Sequence, residues 1–142
     1  MKILHTLIVV LILAALSGCS SASAPSARPK NEPGTLALRN STGAALKSVR
    51  IGEDRSVTSS SRLGQISPVL PDVTYPFVRS PNAHALPPRV RVQWTDASNH
   101  DRSAVVELGN VLKQATGGEG EALLFEIGRG GTVDARIVSA ER

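Results

Sequence analysis

Aromatic residues are scarce: Tyr75, Phe77, Trp94 and Phe125 are the only four in 142 positions. A groove that reads single-stranded nucleic acid stacks bases on aromatic rings and gathers basic residues along one track. Here the rings lie in apolar surroundings, and twelve arginines are scattered from Arg28 to Arg142 without a run. The formal net charge is only +4. Both facts argue against a nucleic-acid partner. Cysteine occurs once, at Cys19, which excludes a disulfide framework. Histidine occurs three times, and His5 lies in an N-terminal apolar stretch, leaving only His84 and His100 beyond it. That set is too poor for a zinc site, so neither a metal nor another cofactor is expected. One apolar run exists, Ile3 to Leu16. It falls short of the roughly twenty residues needed to cross a bilayer, which rules out a polytopic membrane protein. The length suits one domain and is too small for a cofactor-binding α/β enzyme of ordinary size.

The N-terminal stretch carries the most specific signal. Lys2 supplies a positive end, Ile3 to Leu16 an apolar segment, and small residues follow, as a cleavage site requires. Leu16-Ser17-Gly18-Cys19 resembles the lipobox of bacterial lipoproteins: a branched apolar residue, two small residues, then cysteine. The resemblance implies that the Cys19 thiol takes a diacylglyceryl group. It also implies cleavage between Gly18 and Cys19 and acylation of the new amino group with a fatty acid of the palmitate kind. Residues 1–18 would then be a signal peptide, and the membrane a partner through the acyl chains on Cys19. A single acyl chain binds a bilayer only marginally, whereas two or three hold a protein there. In Gram-negative members of that family an aspartate after the cysteine favours the inner membrane. Ser20 stands there in this chain, so the expected address is the outer membrane.

Ser20 to Pro33 is a Ser/Ala/Pro segment without hydrophobic periodicity, expected to be a disordered tether, with residues 19–33 as the lipid-anchored link. From Gly34 onward strand and turn signals alternate. Strands are expected over Thr35–Arg39, Leu46–Ile51, Val73–Arg79, Arg89–Thr95, Ser103–Leu108, Ala122–Ile127 and Thr132–Val138. Pro76 lacks an amide hydrogen, which predicts an edge position or a bulge for its strand. Ser56–Pro71 reads as a Ser-rich loop, and Asn110–Thr116 as a short helix ended by Gly117-Gly118. About seven strands with frequent turns predict an all-β antiparallel sandwich over residues 34–142. Val90, Val92 and Trp94 alternate with polar residues, which sets Trp94 in the core.

Catalytic templates fail on inventory. No G-x-S-x-G elbow accompanies His100-Asp101. Glu119 and Glu121 lie in a Gly-rich loop and read as solvated charge rather than as a glycosidase pair. Gly117-Gly-Glu-Gly120 and Gly128-Arg-Gly-Gly131 lack the lysine and the following helix of a phosphate loop. No enzyme is therefore expected. Arg89 and Arg91 project from one face of the clearest strand, where they either form a solvated outer surface or dock an acidic protein or glycan of the envelope. The expected function is a non-catalytic, lipid-anchored binding or structural module, in the periplasm or at the cell surface. In size and layout the chain is also similar to small outer-membrane lipoproteins of secretion systems, including a transthyretin-like sandwich type. That likeness implies an accessory subunit of an envelope-spanning machine as the alternative.

Overall fold

The computed structural model describes residues 28–54 and 62–139. Among them are β1 (Thr35–Asn40), β2 (Ser48–Glu53), β3 (Arg62–Ile66), β4 (Thr74–Val78), β5 (Arg89–Thr95) and β6 (Asp101–Glu107). After these come a single helical turn α1 (Gly109–Leu112), β7 (Glu121–Ile127) and β8 (Val133–Ser139). The strands form two four-stranded sheets, in the orders β4-β1-β7-β8 and β3-β2-β5-β6. This is an all-β sandwich. Each sheet turns one face inward by simple alternation. Leu36, Leu38, Leu123, Phe125 and Ile127 meet Val49, Ile51, Val90, Val92, Trp94 and Val106 in one buried core.

Three details differ from the sequence expectation. The described residues hold eight strands rather than seven, because β3 lies inside the stretch read as a loop. Its sequence, Arg-Leu-Gly-Gln-Ile, has a glycine where an inward apolar residue is the usual signal. A Cβ on Gly64 would stand 3.0 Å from the Phe77 ring, so the ring of β4 fills the place a side chain would take. The sandwich is also not wholly antiparallel: β1 and β7, the central strands of their sheet, run parallel. Leu124 points to the outer face of that sheet and is nonetheless buried, which gives β7 the continuous apolar run Leu123-Leu124-Phe125 typical of interior strands. The helix, third, spans four residues and ends well before Thr116.

β4 is an edge strand, as Pro76 predicts. The amide of Arg79 donates to the Gly34 carbonyl at 2.9 Å. Odd-numbered residues of β4 therefore bond to β1, and the missing donor of Pro76 falls on the open edge. There it hinders pairing with another chain.

Arg28 to Pro33, expected in the tether, instead lie against the body. The Arg28 amide donates to the Pro81 carbonyl at 3.2 Å, and Glu32 and Pro33 are buried. Gly117, at φ +73°, lies so close to this segment that a Cβ would sit 1.7 Å from the Lys30 carbonyl oxygen. The clasp is a buried ion pair: Arg79 Nη1 stands 2.9 Å from Glu32 Oε2, with both side chains less than a tenth exposed. Arg79 also donates to the carbonyls of Pro33 at 3.3 Å and His84 at 2.6 Å. Both carboxylate oxygens of Glu32 accept from the Leu86 amide at 3.0 Å. Each buried charge is thus paired and further hydrogen-bonded, the condition under which such a pair survives desolvation.

This clasp marks one pole of the sandwich, where β1, β5 and β7 start. The opposite pole is organised by the fully buried Asn40. Its amide donates to the carbonyls of Ala44 at 2.8 Å and Val69 at 3.2 Å, and its Oδ1 accepts from the Thr42 hydroxyl at 2.7 Å. The turn after β1 and the approach to β4 are thereby held together.

Candidate functional site

On the outer face of the β3-β2-β5-β6 sheet, Arg89 and Arg91 occur on one side of β5, as alternation demands. Both reach Asp54, just past β2. Arg91 Nη2 lies 2.7 Å from Asp54 Oδ1, and Arg89 Nη1 lies 3.6 Å from Oδ2. Arg89 Nε also meets Glu107 Oε1 at 2.6 Å, across the β5–β6 pair. The two guanidiniums are therefore already engaged with two carboxylates. A docking partner at this place would have to displace Asp54 and Glu107.

Nearer the far pole the same face holds a polar cleft of about 460 Å³. Its floor comes from three strands: Ser48 and Arg50 of β2, Gln93 and Thr95 of β5, and Asp101 and Ser103 of β6. The register explains the grouping. Arg50 is paired with Gln65 and Gln93, and Gln93 with Ser103, in one row across the sheet. Ser48, Thr95 and Asp101 form the next row on the same face. The Thr95 hydroxyl donates to Asp101 Oδ1 at 2.7 Å. Arg50 is exposed, and no carboxylate among the described residues pairs with it. In the sequence, Val49 and Ile51 on either side of Arg50 fix its outward direction, while nothing local marks its neighbours on the sheet.

A second crevice, of about 300 Å³, opens at the far pole between the turn after β1, the β5–β6 loop and the β7–β8 turn. Trp94, Asp96 and Arg102 contribute to its wall. Arg102 Nε lies 3.4 Å from Asp96 Oδ2, and Asp96 Oδ1 accepts from the amides of Ser98 at 2.9 Å and His100 at 3.0 Å. The His100 amide is the main cause holding the Asp96 carboxyl below the usual aspartate range, with the Ser98 amide next among the causes that lower it.

The other residues singled out from sequence are occupied by loop closure. His100 Nδ1 faces Asp96 Oδ2 at 3.6 Å, while Asp101 bonds Thr95; the adjacent His100 and Asp101 therefore turn to different partners. His84 offers its carbonyl to Arg79. Glu121 is no mere solvated charge. Its carboxylate accepts from the Thr116 hydroxyl at 2.7 Å, the Thr116 amide at 3.0 Å and the Gly117 amide at 2.9 Å. The hydroxyl bond is the largest cause of its lowered pKa. Glu126 is held down likewise, chiefly by the Ser41 hydroxyl at 2.6 Å and then by Arg136 at 2.8 Å. Gly130 and Gly131, each at φ +84°, turn the β7–β8 connection in the left-handed region that glycine tolerates. Among the described residues no three His, Cys, Asp or Glu side chains stand together as metal ligands. Cys19 and Gly18 lie outside the described residues.

No protein-family model, no curated protein and no solved structure matches this chain.

Proposed function

We propose that this protein is a non-catalytic, lipid-anchored module of the bacterial cell envelope. Its β-sandwich would serve binding or scaffolding, with the outer membrane as its address. The observation that carries the reading is Leu16-Ser17-Gly18-Cys19 at the end of a fourteen-residue apolar stretch. A cysteine with no partner thiol in the chain is accounted for by acylation. Arg28, nine positions after Cys19, is bound to one pole of the sandwich, as is Glu32. The clasped pole would face the membrane, and the polar cleft and far crevice would be turned away from it. The groups with chemical potential, His100, Asp96, Asp101 and Glu121, are spent on hydrogen bonds that close loops.

Fractionation of cells producing the wild type and Cys19→Ser tests the anchoring. The wild type is expected in the outer-membrane fraction, and Cys19→Ser is expected as an uncleaved precursor. Wild-type protein found entirely in the soluble fraction would overturn the reading. A pull-down from detergent-solubilised envelope tests the binding role, and the expected result is a co-purifying envelope protein or glycan.

A further inference from the structure

We infer that the polar cleft on the β3-β2-β5-β6 sheet is a binding site for a carboxylate-bearing polysaccharide. Arg50 takes the carboxylate, and Ser48, Gln93 and Ser103 take the sugar hydroxyls. The inference deepens the binding-module reading and rests on it. Three observations lead to this ligand class.

The first is a contrast among the arginines of one face. Arg89 and Arg91 are matched by Asp54 and Glu107, whereas Arg50 has no carboxylate partner among the described residues. A planar guanidinium presents a fork of donors that suits a carboxylate held by two bonds. The second is the character of the remaining lining. Gln93 and Ser103 make no side-chain hydrogen bond within the described residues, and Ser48 makes only a long one, 3.4 Å to the Thr95 hydroxyl. Hydroxyl and amide groups both donate and accept, as sugar hydroxyls do. Arg102 also borders the cleft but is paired with Asp96 at 3.4 Å, and Asp101, at the other side, accepts hydrogen bonds and repels a second carboxylate, so the acid group of the ligand is directed to Arg50.

The third is what a protein partner would need and does not find. Peptide recognition relies on apolar or aromatic anchors in pockets, or on an open strand edge. The polar side chains of this cleft offer no apolar anchor, and its central strands β2 and β5 are paired on both sides. A nucleic acid would ask for stacking rings, and the single ring at the cleft, Trp94, is 4% exposed.

The test uses the full-length protein in detergent on an array of uronate-containing and neutral oligosaccharides, followed by calorimetry with oligogalacturonate. Retention is expected on uronate-containing members alone. Arg50→Gln should weaken oligogalacturonate binding about ten- to a hundredfold, the loss of one charged hydrogen-bonded contact. Arg50→Lys should fall between the two, because it keeps the charge and loses the fork. Arg89→Gln should bind as the wild type. Unchanged Trp94 emission and thermal unfolding in Arg50→Gln ensure that a loss is not misfolding. The inference is overturned if no uronate-containing glycan is retained, if Arg50→Gln binds as well as the wild type, or if polyglutamate of equal charge competes equally. Fractionation of the Cys19→Ser protein is read separately, so failure of the glycan site and failure of the anchoring are distinguishable.

Discussion

Removing the carboxylate of Glu32 should destabilise the domain more than any exposed charge change. In Glu32→Ala the guanidinium of Arg79 stays buried with only the Pro33 and His84 carbonyls for company, and the Leu86 amide loses its acceptor. Breaking a buried ion pair from one side costs about 3–5 kcal/mol, a large part of the roughly 5–15 kcal/mol that holds a domain folded. Glu32→Gln keeps an acceptor for Leu86 and should cost less. Glu32→Leu combined with Arg79→Met removes both charges, and its cost should fall well below the sum of the singles. Urea unfolding of the wild type, Glu32→Leu, Arg79→Met and the double variant, followed by Trp94 emission, gives all four corners of that cycle. Additive costs, or a Glu32→Ala loss under about 1 kcal/mol, would refute the argument that the clasp is a coupled buried pair. Loss of the clasp should also open the Arg28–Pro33 segment to proteolysis before the rest of the fold.

Trp94→Ala should cost about 3–5 kcal/mol, and the native Trp94 emission should be blue-shifted because the ring is buried; a red-shifted emission contradicts the core assignment. Asp96, Glu121 and Glu126 all have lowered pKa values in the fold. Their contribution is complete above the unfolded carboxylate range and is lost as pH falls through the folded values. The melting temperature should therefore hold from pH 7 to about 5 and drop below about 4.5, with Glu121→Gln flattening that drop. Gly117→Ala places a methyl group against the Lys30 carbonyl in a strained backbone, so it should destabilise the N-terminal segment, read as faster amide exchange at Glu32. Arg89→Gln with Arg91→Gln should cost under about 1 kcal/mol. Reversal of both to Glu should cost more, because the two new carboxylates would join Asp54 and Glu107 with no cation between them.

Legibility followed the physical signal available. β5 is legible to the residue because Val90, Val92 and Trp94 alternate with polar neighbours, and β1, β7 and β8 are legible to within a residue for the same reason. β3 carries no such signal, because its core contact is made by Phe77 over a glycine, a long-range packing that leaves no local pattern. The parallel β1–β7 pair is a matter of topology, which alternation within single strands does not encode. The clasp was hidden for a similar reason: Glu32 and Arg79 are 47 positions apart, and Glu32 sits in a stretch whose composition reads as disordered. In sequence Glu121 reads as solvated charge, because its acceptor role depends on Thr116 and Gly117 folding back over it. Arg50 was legible in direction and not in company. Only the register brings Gln93 and Ser103 beside it and leaves Asp54 to Arg89 and Arg91.

Intact mass spectrometry of the protein extracted with detergent from whole cells tests the central claim most directly. The expected species is a mature chain that begins at Cys19 and carries a diacylglyceryl group and an amide-linked acyl chain. A chain that retains residues 1–18, or one whose N-terminus lies past Cys19 without lipid, would contradict it.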